Sequence, residues 1–175
     1  MTKLKERISE RGALAHNGNS YNDNPERLAL RRFVRHCPEF RTFCKEYFGT
    51  NGNTIIKDDP LGKNQVDLGV VDETTSEIYG LIEVDVFIEW NPDWPKRYRM
   101  FHVLERKLKY FQSNNYKYIT CSFSLNRKRM VCTTRENIEM CYSKSGVIKM
   151  WMPKIRAHDK IVRCPLNDNI KWFNL

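Results

Sequence analysis

Three acids, Asp67, Glu83 and Asp85, stand in runs that otherwise read as buried β-strand. The stretch "GLIEVDVFIEW", residues 80–90, is the plainest case, because paired carboxylates seldom occupy a buried strand without a partner. Alternate strand residues face opposite sides, so Ile78, Gly80, Ile82, Val84, Val86 and Ile88 predict one wholly apolar face that packs on a helix. Glu83 and Asp85 then share the other face, about 6.5–7 Å apart by strand rise. If "QVDLGVVD" pairs with this strand through the turn "DETTS", Asp67 and Glu83 come onto neighbouring strands roughly 5 Å apart. Grouped carboxylates repel, and burial as anions is tolerated only with protons, cations or a metal ion. Hard oxygen donors carrying two or three charges suit magnesium, manganese or calcium.

The charge along the chain favours the metal. The net charge is +9, but residues 53–90 carry 2 Lys and Arg against 9 acids, whereas residues 1–52 carry 10 against 6 and residues 91–163 carry 17 against 5. An acidic strip therefore lies between two basic segments. A polyanion suits the basic surface and a divalent cation suits the strip, which together fit metal-assisted hydrolysis of a phosphodiester.

The elements that must position these residues can be read from periodicity. Residues 1–23 form an arm, partly helical and partly rich in Asn and Gly, and residues 24–175 form a single domain. "NPERLALRRFVRHC" predicts a helix opened by proline, with Leu28, Leu30, Phe33, Val34 and Cys37 on its apolar side. Pro38 interrupts it, and "PEFRTFCKEYFG" predicts a second helix stopped by Gly49. "TIIKDD", "QVDLGVVD" and "EIYGLIEVDVFIEW" predict a meander of three strands. Val103, Leu104, Leu108 and Phe111 in "VLERKLKYFQSN" have helical spacing, and "YKYITCSFSLN" returns to strand. "RKRMVCTTRENIEMCYSKSG" predicts a strand and a short helix, followed by short strands in a basic C-terminal elaboration over 126–175.

A helix with an early acid, a meander with Asp on its second strand and an E-x-[K] place on its third, then a basic helix and a further strand resembles the PD-(D/E)xK nuclease superfamily. The resemblance runs over about residues 24–125, with "HVLERKLKYF" similar to the segment that follows the E-x-K strand in small phage and viral members. It implies an α+β or α/β fold with a restriction-endonuclease-like core, a mixed sheet flanked by helices. It implies Asp67 and Glu83 as ligands of Mg2+ or Mn2+, with the Val84 carbonyl beside them, and Glu26 as the extra acid of resolvase-like members. The departure is Asp85, where the family expects a Lys: an acid can join the metal or position water but cannot bring positive charge to the phosphate. Lys107 is the best replacement, with Lys96 and Arg106 behind it.

The implied activity is a metal-dependent DNA endonuclease of phage type or selective for DNA structure. The alternative is a non-catalytic protein with a degenerate nuclease fold, acting as a DNA-binding factor or as a structural component among the proteins of a phage particle. Catalytic candidates are Asp67, Glu83, Asp85, Lys107 and Glu26, and metal candidates Asp67, Glu83 and Asp85. Lys96, Arg97, Arg99, Arg106, Lys109, Arg127, Lys128 and Arg129 are the candidate contacts to DNA. A homodimer would supply the two sites that duplex cleavage needs. Trp90 and Trp94 flank a proline-rich bend and read as packing, with base stacking as the sharper alternative; His102 and His158 read as structural or surface residues. Six cysteines without a C-x-x-C pair indicate reduced, half-buried thiols rather than a zinc site. With no run of about 18 apolar residues and no apolar leader, the expected setting is the cytosol, the host's if the protein is viral, or a particle assembled there, and not a membrane.

Overall fold

The computed structural model describes residues 25–50, 52–62, 66–87, 89–91, 93–109, 116–152 and 157–175, without the side chains of 152 and 157. The arm expected over 1–23, Ile88 and Phe111 lie outside the described residues. Helix α1 spans Pro25–His36 and α2 spans Pro38–Phe48. Pro38 separates them, since it starts a helix but cannot continue one. Gly49 ends α2 at φ 71°, donating its N–H to the Lys45 carbonyl, a conformation open to glycine without strain. Ala29, Leu30, Phe33 and Cys37 bury the inner side of α1, while Leu28, expected there, is 44% exposed.

The expected meander is β1 (Thr54–Asp58), β2 (Leu68–Asp72) and β3 (Ile78–Val86), all antiparallel. The chain then passes through β4 (Met100–Leu104) and a 3-10 turn, η1 (Glu105–Lys107), before β5 (Lys117–Phe123) lies parallel to β3. Strand β6 (Arg129–Thr134), helix α3 (Arg135–Ser145), β7 (Ile148–Met152), β8 (Ala157–Pro165) and β9 (Lys171–Asn174) complete the fold. The result is mixed α+β, with a six-stranded mixed sheet in the order β1-β2-β3-β5-β6-β9 and a smaller sheet, β4-β8-β7. No helix among the described residues is long and apolar enough to cross a membrane.

Two apolar clusters sandwich the large sheet. On one face α1 and α2 pack through Leu30, Phe33, Phe40 and Phe48 onto Leu68, Ile82, Val84, Val86 and Ile119. Gly80 belongs to that face by necessity: a Cβ there would stand 2.2 Å from the Phe48 ring. Ile78 does not, because the register shifts between Val70 and Val71; Ile78 turns to the opposite cluster and Tyr79 takes its side. The other face buries Leu81, Tyr118 and Val131 against Trp90, Phe101, Val103, Ile138, Val162 and Cys164. Trp90 is 1% exposed and packs on Trp94 and Trp172, so its role is packing.

The helix expected from Val103 is the second difference. Val103 and Leu104 end a strand, with Phe101 and Val103 pointing into the core, and only then does the chain turn through η1. Three apolar residues at 103, 104 and 108 satisfy a helical spacing, but Phe101 and Val103 satisfy a strand alternation as well, and pairing with β8 decides it.

Candidate metal and phosphate site

Asp67 stands just before β2, where the register of Leu68 opposite Ile82 sets it beside Glu83 on the next strand. Its Oδ2 accepts the Val84 N–H at 3.1 Å, a bond that fixes the carboxylate over β3. The Glu83 side chain is 11% exposed, and its Oε1 forms an ion pair with Lys107 Nζ. Of Lys107, Lys96 and Arg106, Lys107 is therefore the one paired with Glu83. Lys96 is exposed, and Arg106 pairs instead with Asp159 at 3.4 Å. A strand followed by a tight turn delivers Lys107 as well as the expected helix would have.

The second Glu83 oxygen, Oε2, is buried and meets no N–H donor among the described residues, and the Glu83 carboxyl lies within hydrogen-bond reach of Asp67, a contact that two carboxylates make only through a proton or a cation. Burial, with the negative charge of Asp67 beside it, pushes the Glu83 carboxyl up to about 8 against the pull of Lys107. A buried carboxylate oxygen without a donor, next to a second carboxylate, fits a small hard cation that keeps its remaining positions for water and phosphate. No three acidic, His or Cys side chains among the described residues are arranged so that they could hold a metal ion, and the candidate donors are this pair. Asp85 is not gathered with them. It is exposed, and its Oδ1 accepts the Val86 N–H at 2.8 Å.

Asp67, together with Asp58 and Asp59, is also faced by a cation from α1 that was not among the expected site residues. Arg27, 3% exposed on α1, donates to both oxygens of Asp59 at 3.0 and 2.9 Å. The same guanidinium lies 3.4 Å from Asp58 and 3.5 Å from Asp67, while Arg31 holds Asp58 at 2.8 Å. A signal was present: Arg27 falls in helical register with Leu30, Val34 and Cys37, and a cation on an apolar stripe needs buried anions. The neighbouring acid Glu26 points elsewhere, 3.9 Å from Arg127 in the β5–β6 turn.

Around the site the expected DNA contacts are mostly at the surface. Arg97 pairs with Glu89, and Arg129 with Asp93 at 2.7 Å, both exposed pairs of the kind that contribute little and are readily exchanged for phosphate. Arg99, Lys109 and Lys128 are exposed.

Fold and site together define a mixed α+β protein with a carboxylate pair and a lysine at one end of its central sheet. No protein-family model matches the sequence, and no curated protein matches it. Among solved structures the chain is similar to a nuclease from a fusselovirus, with a TM-score of 0.49 and 10% identity over 79% of this chain and 81% of that one.

Proposed function

We propose that the chain is a divalent-metal-dependent DNA endonuclease of the PD-(D/E)xK kind, with Asp67 and Glu83 holding Mg2+ or Mn2+. The observation that carries this reading is the close pair of carboxyls, Glu83 and Asp67, with no N–H donor on the buried Oε2 of Glu83 and Lys107 on its other oxygen. When bound, the ion would polarise a phosphate oxygen and acidify a water. Asp67, aimed by the Val84 N–H, and Glu83 supply the anionic charge that holds it. Lys107 places a positive charge where the family's lysine acts, beside the attacking water and the reacting phosphate. Asp85, exposed one side chain further along the same face, serves as an acceptor that orients water at the mouth of the site.

The test is nicking of supercoiled plasmid with magnesium or manganese. Asp67→Ala and Glu83→Ala are expected to lower the rate by about a thousandfold, the scale of several kcal/mol of transition-state stabilisation. No cleavage by the parent protein, or equal cleavage by both variants, would sink the reading. The exposed Asp85 and the two-carboxylate donor set favour a second one, a non-catalytic DNA-binding protein on the same fold. That reading expects salt-sensitive DNA binding, no turnover and indifference to Asp67→Asn. Asp85→Lys separates them further: gained activity marks a retired site, and lost activity a working one.

A further inference from the structure

Strands β7 and β8 continue beyond the core. Ile161 of β8 is the last residue paired with β4, at Leu104, so among the described strands residues 157–160 pair with β7 alone. Val162 and Cys164 of β8 point into the cluster under the large sheet. By alternation His158 and Lys160 point the same way but lie past the core, and both are exposed. Directly opposite them on β7 stand Trp151 and Lys149.

This ribbon face combines two features that folding alone does not favour. Lys149 and Lys160 are a like-charged pair directly across the ladder, which is destabilising. Lys149 has no ion pair among the described residues, and Lys160 reaches Glu105 only at 3.9 Å between exposed ends. On the next rung Trp151 is 51% exposed, its ring edge-on to His158 at 5.3 Å, so about half of its surface meets no core. A polyanion relieves the first cost and a flat apolar group the second. Nucleic acid with an unpaired base is both. The ribbon also borders the candidate site, because Asp159 and Lys160 touch Arg106 and Glu105 of η1, the turn that carries Lys107.

We infer that the β7–β8 ribbon is a nucleic-acid subsite in which Trp151 stacks on an unpaired base and Lys149 and Lys160 hold the flanking phosphates. The substrate is then DNA with a single-stranded stretch next to the cleaved bond, such as a tailed or flapped end, rather than a continuous duplex. The inference rests on the nuclease reading for the position of the cleaved bond alone; binding is measurable without cleavage.

The experiment is fluorescence anisotropy with the full chain, in chelator, on a labelled blunt duplex and on the same duplex carrying a single-stranded tail. The parent is expected to prefer the tailed DNA. Trp151→Ala should weaken tailed DNA about tenfold or more and blunt duplex by less than about twofold, while Trp151→Phe keeps most of the preference. Lys149→Gln should lower the salt slope by about one. Should the alanine variant prove less stable, Trp151→Leu, which keeps apolar volume without a π-face, must show the same selective loss. Unchanged affinity on both DNAs, or an equal loss on both, overturns the subsite. A Trp151-dependent preference without metal-dependent cleavage leaves the subsite standing and removes the nuclease reading; cleavage with no Trp151 effect does the reverse.

Discussion

At the scale of one residue, the proposed chemistry rests on Glu83. Its carboxyl is pushed from the ordinary value of 4.5 up to about 8 by burial and by Asp67. The folded chain therefore holds this proton more tightly than the unfolded chain does. The sign follows: metal-free protein is most stable below about pH 4.5 as far as this group is concerned, loses stability as pH rises through the window up to about 8, and gains no recovery above it. The loss amounts to a few kcal/mol. Thermal midpoints of chelated protein should fall across that window, and Glu83→Gln should flatten the profile. Bound Mg2+ or Mn2+ needs the ionised form, so affinity should rise by about an order of magnitude or more from pH 6 to pH 8, with a proton released. Calorimetry in two buffers of different ionisation enthalpy measures that proton; metal affinity that is flat with pH would contradict the assignment. Much of this was legible in residue types. The alternation of Ile82, Val84 and Val86 placed Glu83 on the face away from α1 and α2, and the turn at 73–77 placed Asp67 beside it. That one buried oxygen would meet no N–H donor was not legible, since which side chains reach Glu83 is decided by packing.

Between elements, Arg27 is what ties α1 to the strands that present the acids. Its fork donates bidentately to Asp59 and also faces Asp58 and Asp67, so one guanidinium bridges three carboxylates that β1 and the approach to β2 bring together, with Arg31 adding a second cation at Asp58. Arg27→Met would leave these half-buried carboxylates with Arg31 as the remaining cation, on Asp58 alone, at a cost of about 2–3 kcal/mol. Arg27→Lys should recover only part of that, because an ammonium cannot reproduce the fork. Urea unfolding of the variants checks both, and near-parent stability of Arg27→Met would refute the structural role. Local pattern sufficed for α1, α2 and the meander, where period and turn residues agree. It failed at residues 103–107 for a physical reason. Leu104 becomes a strand residue only by pairing with Ile161, and a contact so distant in sequence leaves no periodic trace near Leu104.

Over the whole molecule, the acidic strip seen along the chain divides. Asp58, Asp59 and Asp67 are paired with Arg27 and Arg31, and Glu83 with Lys107, whereas Glu73, Glu77, Asp85 and Glu89 stay exposed. Beside them the surface carries the exposed Lys96, Arg99, Lys109, Lys128 and Lys149. The sign of each segment was readable from the sequence, but not which of its acids would be paired by cations of other elements. A chain of net charge +9 with these exposed cations attracts a polyanion. Its DNA affinity should therefore fall steeply with salt, by about a thousandfold between roughly 50 and 200 mM if about six phosphates are neutralised. Lys96→Gln and Lys128→Gln should each reduce the slope of log affinity against log salt by about one, uniformly across DNA sequences. Asp72→Asn, which removes a charge held by its own turn, should leave the slope unchanged. Anisotropy titrations over that salt range read all three slopes; a shallow parent slope, or lysine variants that match it, would mean that the basic surface is solvated and meets no nucleic acid.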